Sequence, residues 1–348
     1  MRVGGAMLSA SPMSRTPGMC YSAQILADFS KYRRLGGELD LEAFVVMAGW
    51  SRDAGTWIKG VPKAMRNAFV DSTVPEEQEA RAAARAAYAE AAAALEQELA
   101  EQSDRLARAE YILAGPRPTK KAENDRRVAT NKIAAASAKL AEVTDRSAGQ
   151  EYSRIWPGGL TPVLIRDHVT GERRVVPMRY RCRLPGWDDA KEKAKPGTYN
   201  ARMDSLATVW RKLWGYNHGV MVARRFFESV SLHRLQQREL APGERDMSIE
   251  IEFRPEPEQD MLLACLWRYV EPTDDEPGFY SVAAITRNPP PEVLAAGHDR
   301  CVIPIKPENL EAWLDPQPGR LANQMAILED PIDAYYEHQV VEKEADAA

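Results

Sequence analysis

The segment Met19-Cys20-Tyr21-Ser22-Ala23-Gln24 places a cysteine directly after a methionine. Removal of everything through Met19 leaves Cys20 as the first residue, with an amine and a thiol on adjacent carbons. Such a 1,2-aminothiol condenses with an aldehyde to a Schiff base, and the thiol then closes the ring to a thiazolidine. A free α-amine titrates near pH ~8, whereas lysine titrates near about 10.4, so more of it is nucleophilic at physiological pH. The pattern predicts an aldehyde-reactive N-terminus; the simpler interpretation is an ordinary small apolar residue at a helix start.

Three polar side chains further along the chain are candidates for binding and proton transfer. Asn200 precedes a predicted helix, where asparagine is often only a turn or cap residue. Glu228 ends a predicted strand behind Phe226 and Phe227. An aromatic setting disfavours its ionised form and suits a general acid or base, although an exposed strand-end glutamate is the alternative. His298 opens another predicted strand and can move protons near neutral pH, unless its role is structural.

Composition places the chain among globular proteins. It has 348 residues, 44% of them apolar and 28% charged, with a net charge of −5. The charge is uneven, because residues 152–235 contain 16 Lys/Arg against 7 Asp/Glu. A local basic face of this kind can bind a phosphate backbone despite the acidic whole. Four separated cysteines without a CxxC pair argue against a disulfide framework and a zinc site, so we expect no metal and no cofactor.

No apolar run approaches the length of ~18 residues that a membrane-spanning helix requires. Residues 1–18 contain Gly, Ser, Pro and two Arg without an apolar centre, unlike a secretory signal. We interpret them as a disordered leader or a misassigned start. We therefore expect a cytoplasmic protein without a membrane partner.

Residues 76–147 are rich in Ala, Glu, Arg and Lys and nearly lack aromatic side chains. Apolar positions alternate in spacings of four and three from Tyr88 to Leu113, and again from Ala129 to Val143. Gly115-Pro116-Arg117-Pro118 interrupts the pattern, because proline cannot continue a helix. The first limb is acidic, 9 against 4, and the second is basic, 8 against 4. We predict an antiparallel coiled-coil hairpin that acts as a spacer, self-association device or partner-binding arm.

The rest of the chain predicts an α+β fold built on a largely antiparallel sheet or barrel with flanking helices. Helical spacing covers 23–50, broken at Gly36-Gly37, and a further helix is predicted over 56–69. The remaining predicted helices are 203–213, 290–296 and 307–314. The predicted strands are 161–166, 173–178, 219–223, 248–253, 261–269, 280–286 and 301–305.

The predicted organisation has five parts. A leader (1–18) precedes an N-terminal part of the core that carries Cys20 (19–75). The hairpin (76–147) interrupts this core, which resumes over 148–330. The last part is a frayed acidic tail (331–348).

Several short motifs follow one another along the chain. They are Met19-Cys20, Tyr152 to Pro157-Gly158, Leu184-Pro185-Gly186-Trp187, Asn200-Ala201-Arg202, Leu213-Trp214 through His218-Gly219 to Phe227-Glu228, and His298-Asp299-Arg300. In this order they resemble the motifs of the SOS-response-associated peptidase family of abasic-site-processing proteins. Departures from the family pattern are Arg154, Trp156, Ser229 and Cys301-Val302. The resemblance covers residues 19–24 and about 150–315, so the hairpin is expected to be an insertion in a longer subfamily.

The resemblance implies a DNA-repair function in the SOS response. Family members form a thiazolidine crosslink with the ring-opened aldehyde of an abasic site in single-stranded DNA, so Cys20 would be the nucleophile. Asn200 would orient its amine or the sugar, Glu228 would move protons, and His298 would assist or polarise a sugar hydroxyl.

On the DNA side, the resemblance implies that Arg202 binds phosphate. Trp187 would stack on a base beside the lesion. Pro157 would belong to the same DNA-binding surface. The protein would then be associated with the nucleoid at damaged DNA.

Three hypotheses remain open at this stage. The first is an abasic-site crosslinker whose Cys20 is exposed by autoproteolysis or methionine trimming. The second is a thiol peptidase that acts on other proteins, with Cys20 as nucleophile and His298 as base. The third is a non-enzymatic adaptor that works through the hairpin, by binding a protein partner or by self-association.

Overall fold

The computed structural model describes residues 22–26, 29–50, 63–67, 70, 75–145, 152–274 and 277–341. The predicted leader 1–18, Cys20, and residues 56–62 and 68–69 of the helix predicted over 56–69 lie outside the described residues.

A large, mainly antiparallel sheet forms the body of the protein. Its strands are rich in β-branched and aromatic residues, which suit a pleated, buried surface. The strands are β1 (Ser22–Leu26), β2 (Gly37–Leu39), β3 (Tyr152–Ile155), β4 (Leu160–Arg166), β5 (Arg173–Tyr180), β6 (Asn200–Arg202), β7 (His218–Ser231), β8 (Ser248–Glu256), β9 (Met261–Val270), β10 (Phe279–Arg287), β11 (Cys301–Val302), β12 (Pro304–Ile305) and β13 (Tyr335–Val340).

Strand β7 organises this sheet, because it is long enough to pair with different neighbours along its two halves. Its first half lies between β4 and β9, with Val220 opposite Leu164 and Ala264. Its second half lies between β1 and β8, with Phe226 opposite Ala23 and Phe253. The remaining strands extend the order β12-β9-β10-β5-β4-β7-β1-β3. Both halves of β7 are therefore buried.

Helices cover the sheet and form the arm. They are α1 (Phe29–Arg34), α2 (Leu41–Trp50), α3 (Lys63–Asn67), α4 (Gln78–Ala114), α5 (Lys120–Thr144), α6 (Asp189–Ala194), α7 (Leu232–Leu235), α8 (Pro291–Ala295), α9 (Leu310–Leu314) and α10 (Leu321–Glu329). Together with the sheet, they confirm the predicted α+β fold with an inserted helical hairpin. None of the helices within the described ranges is both long and apolar enough to cross a membrane.

The hairpin consists of α4 and α5. Thr119 caps α5, since its Oγ1 accepts a hydrogen bond from the Ala122 backbone at 3.2 Å. Ion pairs join Glu98 to Lys132 and Arg105 to Asp125, so seven residues forward on one limb (98 to 105) correspond to seven residues back on the other (132 to 125). This register fits an antiparallel coiled coil. The α5 seam repeats every seven residues and consists of Ala122, Ala129, Ala136 and Val143, all buried.

The base of the arm belongs to the main core. Ala84, Tyr88 and Leu95 of α4 are buried in the same cluster as the sheet residues, and α4 packs on α2. Further out, Ala109 and Ala122 are buried only between the two limbs. Removal of the whole arm would therefore expose part of the core, whereas its outer half is structurally separate.

Four sequence-based expectations are wrong. Residues 22–26 form a strand rather than the start of a helix, because pairing with β3 and β7 overrides their helical spacing. The segment 203–213 contains a short 3₁₀ helix, Met203–Ser205, followed by turns. The tail is ordered as far as β13, which pairs with β8. Glu228 does not end its strand, which runs on to Ser231.

Candidate functional site

Strand β7 carries Glu228 into the interior, where the residue is only 3% exposed. Alternate residues of a strand point to the same side, so Glu228 shares its face with Phe226, whose ring stacks on Phe253 at 5.0 Å. Burial in these surroundings raises the pKa of the Glu228 carboxyl, because the charged form loses its hydration. The exposed strand-end interpretation is therefore wrong, and the side chain suits a proton donor.

His298 meets Glu228 from the segment after α8. Gly297 turns the chain with a φ of +91°, a conformation that L side chains rarely adopt. His298 Nε2 then lies 3.1 Å from Glu228 Oε1. The ring is not well aligned for a hydrogen bond to that oxygen, and Nε2 has no other partner among the described residues. The pair is therefore in contact while the imidazole nitrogen can still bind a reacting group.

Strand β10 positions the other predicted polar residues at one end of the sheet. Strand β6 pairs with it in parallel, with Asn200 beside Ala284, and β11 pairs on its other side, with Val302 beside Thr286. Asn200 is 9% exposed, and its buried Oδ1 accepts no hydrogen bond from any described residue. A buried acceptor in this state is ready for an N–H or O–H donor of a ligand.

Two clefts open at this end of the sheet. One, of about 560 Å³, is lined by Arg202, Thr286 and Arg287 among others. The second, of about 600 Å³, is lined by Arg234, Leu294 and His298 among others. Arg202 is partly exposed and donates to Asn288 Oδ1 at 3.3 Å. Both clefts are large enough to admit parts of a polymeric substrate.

Strand β1, which follows Cys20 in the chain, pairs with β7 next to the position of Glu228. Ser22 lies opposite Phe227, the residue before Glu228. Arg154 Nε donates to Ser22 Oγ at 2.9 Å, and its guanidinium stacks 3.8 Å from the Phe227 ring and 4.1 Å from the Trp156 ring. In the sequence, Arg154 stands out only as a departure from a motif. Its neighbours in the chain give no sign that it contacts Ser22 and Phe227.

Trp187 and Pro157 lie on loops rather than beside Glu228. The Trp187 ring has the ammonium groups of Lys191 and Lys195 at 5.4 and 5.8 Å, so its surroundings are basic. Pro157 is half-buried in the turn between β3 and β4, directly after the exposed Trp156. Whether Trp187 and Pro157 contact DNA stays a prediction.

The other cysteines lack the properties of nucleophiles. Cys182, Cys265 and Cys301 are buried free thiols. Burial raises the pKa of Cys182 to about 12 and also raises those of Cys265 and Cys301. A buried protonated thiol is inert, because the thiolate is the reactive form. Cys20, outside the described residues, is the remaining cysteine of the chain.

His218, within a motif of the family resemblance, has a structural role. Its ring lies between Trp214 and Trp313, with centroids 4.9 and 4.2 Å away. Nε2 accepts from the Gly215 backbone at 3.0 Å, and burial lowers its pKa to about 3. A neutral, fully enclosed imidazole holds the fold together and is not available to a substrate.

The described residues contain no group of three or more His, Cys, Asp or Glu side chains arranged to hold a metal ion. Three polar side chains make up the candidate site. These are a buried carboxyl, an imidazole and a carboxamide.

Comparison with solved structures gives distant similarities. A protein from Bordetella bronchiseptica has a TM-score of 0.44 and 18% identity over 55% of this chain and 88% of its own. A protein from Bacteroides thetaiotaomicron has a TM-score of 0.42 and 16% identity over 55% of this chain and 78% of its own. A phage-related protein from Bordetella bronchiseptica has a TM-score of 0.41 and 16% identity over 55% and 82%. No curated protein matches the chain.

The comparison with protein families is more informative. The profile of the SOS response associated peptidase (SRAP) family matches residues 121–346. This range begins inside α5, includes Asn200, Glu228 and His298, and leaves out Met19-Cys20. Because the match covers more than half of the sequence, the chain belongs to the SOS response associated peptidase (SRAP) family.

Proposed function

We propose that this protein is an abasic-site sensor that forms a covalent thiazolidine crosslink, through Cys20, with abasic sites in single-stranded DNA. Membership of the SRAP family supports a DNA-damage-associated, peptidase-like function and implies DNA binding. The crosslinking chemistry and the assignment of Cys20 go beyond that family membership. They depend on the arrangement of β1, β7 and His298.

The observation that carries the proposal is the pairing register of β1 with β7, which sets Ser22 one position from Glu228 along the strand. Ser22 lies opposite Phe227, and the Glu228–His298 pair is in contact at 3.1 Å. Cys20 is two residues before Ser22, so the chain limits their Cα separation to about 7 Å in any conformation. The chain that leads back to Cys20, the predicted aldehyde-reactive nucleophile, therefore runs toward the part of β7 that carries Glu228.

The pair suits the ring opening of the abasic sugar. The hydroxyl on C1′ loses its proton, the C1′–O4′ bond breaks, and O4′ gains a proton, which leaves an aldehyde. A protonated Glu228 can donate to O4′, while His298 Nε2 can accept the hydroxyl proton. Both side chains must reach the same sugar, so they need to be close together and partly shielded from water, as Glu228 and His298 are.

The crosslink then forms at the aldehyde carbon. The amine of Cys20 adds to C1′, water leaves to give an imine, and the thiol adds to the same carbon to close the ring. The net reaction joins the aminothiol and the aldehyde with loss of one water, without an oxidant or reductant. We assign the buried Oδ1 of Asn200 to an N–H of the amine or a hydroxyl of the sugar, because it has no described partner.

The DNA contacts follow from the basic surroundings. Arg202 lines the cleft next to Asn200 and is assigned to a phosphate. Trp187, flanked by Lys191 and Lys195, is assigned to a base next to the lesion. Pro157 is assigned to the same surface, beside the exposed Trp156.

The test is mass spectrometry after the mature protein is mixed with a single-stranded oligonucleotide that carries one abasic site. We expect a heat-stable adduct whose mass is the sum of the two components minus one water. Cys20→Ser retains the amine, so it should form only an imine that borohydride can trap. A heat-stable adduct of Cys20→Ser without reductant would exclude the thiazolidine mechanism.

The runner-up is a thiol peptidase that acts on other proteins, since the family description itself names a peptidase. With the described cysteines buried, Cys20 is again the candidate nucleophile. A peptidase predicts cleavage of a protein substrate that both Cys20→Ser and Glu228→Gln abolish, and no borohydride-dependent DNA adduct. Self-cleavage before Cys20 is compatible with both functions, and the mass of the mature chain reports it.

A further inference from the structure

Charge is segregated along the length of the hairpin arm. The outer part, residues 105–127, contains 7 Lys/Arg and 3 Asp/Glu. The inner part, residues 78–104 together with 128–144, contains 4 Lys/Arg and 7 Asp/Glu. The tip is therefore cationic and the base anionic, an arrangement that would attract a polyanion to the tip and repel it from the base.

The cations at the tip are available to a partner. Six of them are exposed and form no ion pair among the described residues. Tyr111 lies among them and is 83% exposed. An exposed aromatic ring combined with unpaired cations is typical of surfaces that bind single-stranded nucleic acid, where the cations contact the backbone and the ring stacks on a base. The six are Arg108, Arg117, Lys120, Lys121, Arg126 and Arg127.

The arm holds this tip rigidly away from the body. Leu99 is the outermost α4 residue that packs against the main core. From there to Ala114 the helix rises about 23 Å, at ~1.5 Å per residue. Small residues at the distal seam, including Ala109, Ala122 and Ala129, bring the limbs close together. The flanks of the distal arm lack large exposed apolar side chains among the described residues, apart from Tyr111 and Ile112 at the tip.

We infer that the tip of the arm binds single-stranded DNA several nucleotides away from the reacting abasic site. This inference rests on the proposed function for the identity of the substrate. The cations would contact phosphates and Tyr111 would stack on a base. The outer arm from Leu99 to Ala114, about 23 Å long, by itself matches about seven nucleotides at the ~3.4 Å spacing of a stacked strand. Short oligonucleotides should therefore miss the tip.

The experiment measures binding without chemistry, by fluorescence anisotropy with a stable, non-reactive abasic analogue. One probe has about three nucleotides on each side of the analogue and the other about twenty, which bracket the estimated reach. The variant is the triple substitution Arg117→Gln, Lys120→Gln and Lys121→Gln. The matched control is Arg117→Lys, Lys120→Arg and Lys121→Arg, which keeps every charge. Circular dichroism of both variants checks that the helices persist.

We expect the neutral variant to bind the long probe more weakly and the short probe as wild type does. Loss of three phosphate contacts should make the slope of log K against log salt less negative by about 2. It should weaken the affinity near 0.1 M salt by up to about a hundredfold. The charge-preserving control should match wild type on both probes. Equal binding of the long probe by neutral variant and wild type would overturn the inference, as would an equal loss on the short probe.

The test of the tip can be distinguished from the test of the proposed crosslinking function. If wild type fails to crosslink a reactive short oligonucleotide, the proposed chemistry is wrong, yet the long-probe comparison still tests the tip. If wild type crosslinks the short probe and the neutral variant binds long DNA normally, the chemistry survives and the tip contact is rejected. A protein partner would then be the remaining occupant.

Discussion

Replacement of Glu228 by glutamine tests the proton-transfer role most directly. The side chain is 3% exposed and touches His298, and glutamine has the same shape. Glu228→Gln should therefore fold and bind DNA but lack the ionisable proton of the carboxyl group. General acid–base groups contribute about 10²–10⁴-fold to rates. We expect single-turnover crosslinking, followed on denaturing gels with excess protein, to slow by a factor in that range.

The pH dependence of the crosslinking rates shows whether Glu228 acts as a proton donor. Burial raises the pKa of Glu228, so the carboxyl keeps its proton to a higher pH than usual. Steps that do not involve Glu228 are common to both proteins, so the ratio of wild-type to variant rates isolates the contribution of Glu228. If Glu228 donates a proton, the ratio is largest at low pH and falls as pH rises through the raised pKa. A ratio that increases with pH would refute the donor role, and a ratio near one throughout would refute any proton transfer by Glu228.

Folding stability provides an independent check on the same group. Because the folded state holds the Glu228 proton more tightly than the unfolded state, the stabilising contribution is fully present below the unfolded pKa of 4.5. It is lost as pH rises through the raised folded value. Chemical denaturation should thus show wild type losing stability relative to Glu228→Gln over that window. The control for the crosslinking measurements is Glu252→Gln. Glu252 lies on β8, is 8% exposed and pairs with Arg225, and this variant should crosslink normally.

Three further predictions concern the N-terminus, the arm and helix α6. The mature protein should begin at Cys20, and the intact mass of protein expressed from its own start checks this; a stable product that retains residues 1–19 would contradict it. Replacement of residues 103–127 by a short Gly/Ser turn cuts both limbs at the same level, so the body should fold and crosslink short abasic oligonucleotides; loss of crosslinking with folding intact would mean that the outer arm helps to build the site. Glu192→Gln should destabilise the fold by about 3–5 kcal/mol in urea denaturation, because buried Glu192 pairs with Arg179 at 2.5 Å and Arg183 at 2.6 Å and glutamine carries no charge to neutralise them; a cost below about 1 kcal/mol would reject this.

Much of the fold was predictable because its elements have strong local patterns. The arm follows from heptad spacing and a Gly-Pro turn, and the long strands β4, β5, β8, β9 and β10 follow from β-type runs between Gly and Pro. The short strands β6 and β13 have no such pattern, since three or six residues are too few to show one. They exist because β10 and β8 offer unpaired edges, and that information lies elsewhere in the chain.

Motif order identified the residues of the candidate site but not their geometry, and their roles stay predictions. Motif order singled out Asn200, Glu228 and His298 without indicating that Glu228 and His298 touch. Burial of Glu228 depends on its pairing with β8, where Ile251 lies opposite it, and no local signal connects the two strands. Arg154 was missed for the same reason, because its partners Ser22 and Phe227 come from two other strands.

The difference between a helix and a strand at residues 22–26 has functional consequences. As a helix, this segment could direct the preceding residues anywhere around its axis. As strand β1, it runs antiparallel to β7, with Gln24 opposite Arg225 and Ser22 opposite Phe227. Each step toward the N-terminus of β1 is therefore a step toward the carboxyl end of β7, where Glu228 lies. The pairing register itself, rather than any contact of Cys20, connects the start of the mature chain to the proton-transfer pair.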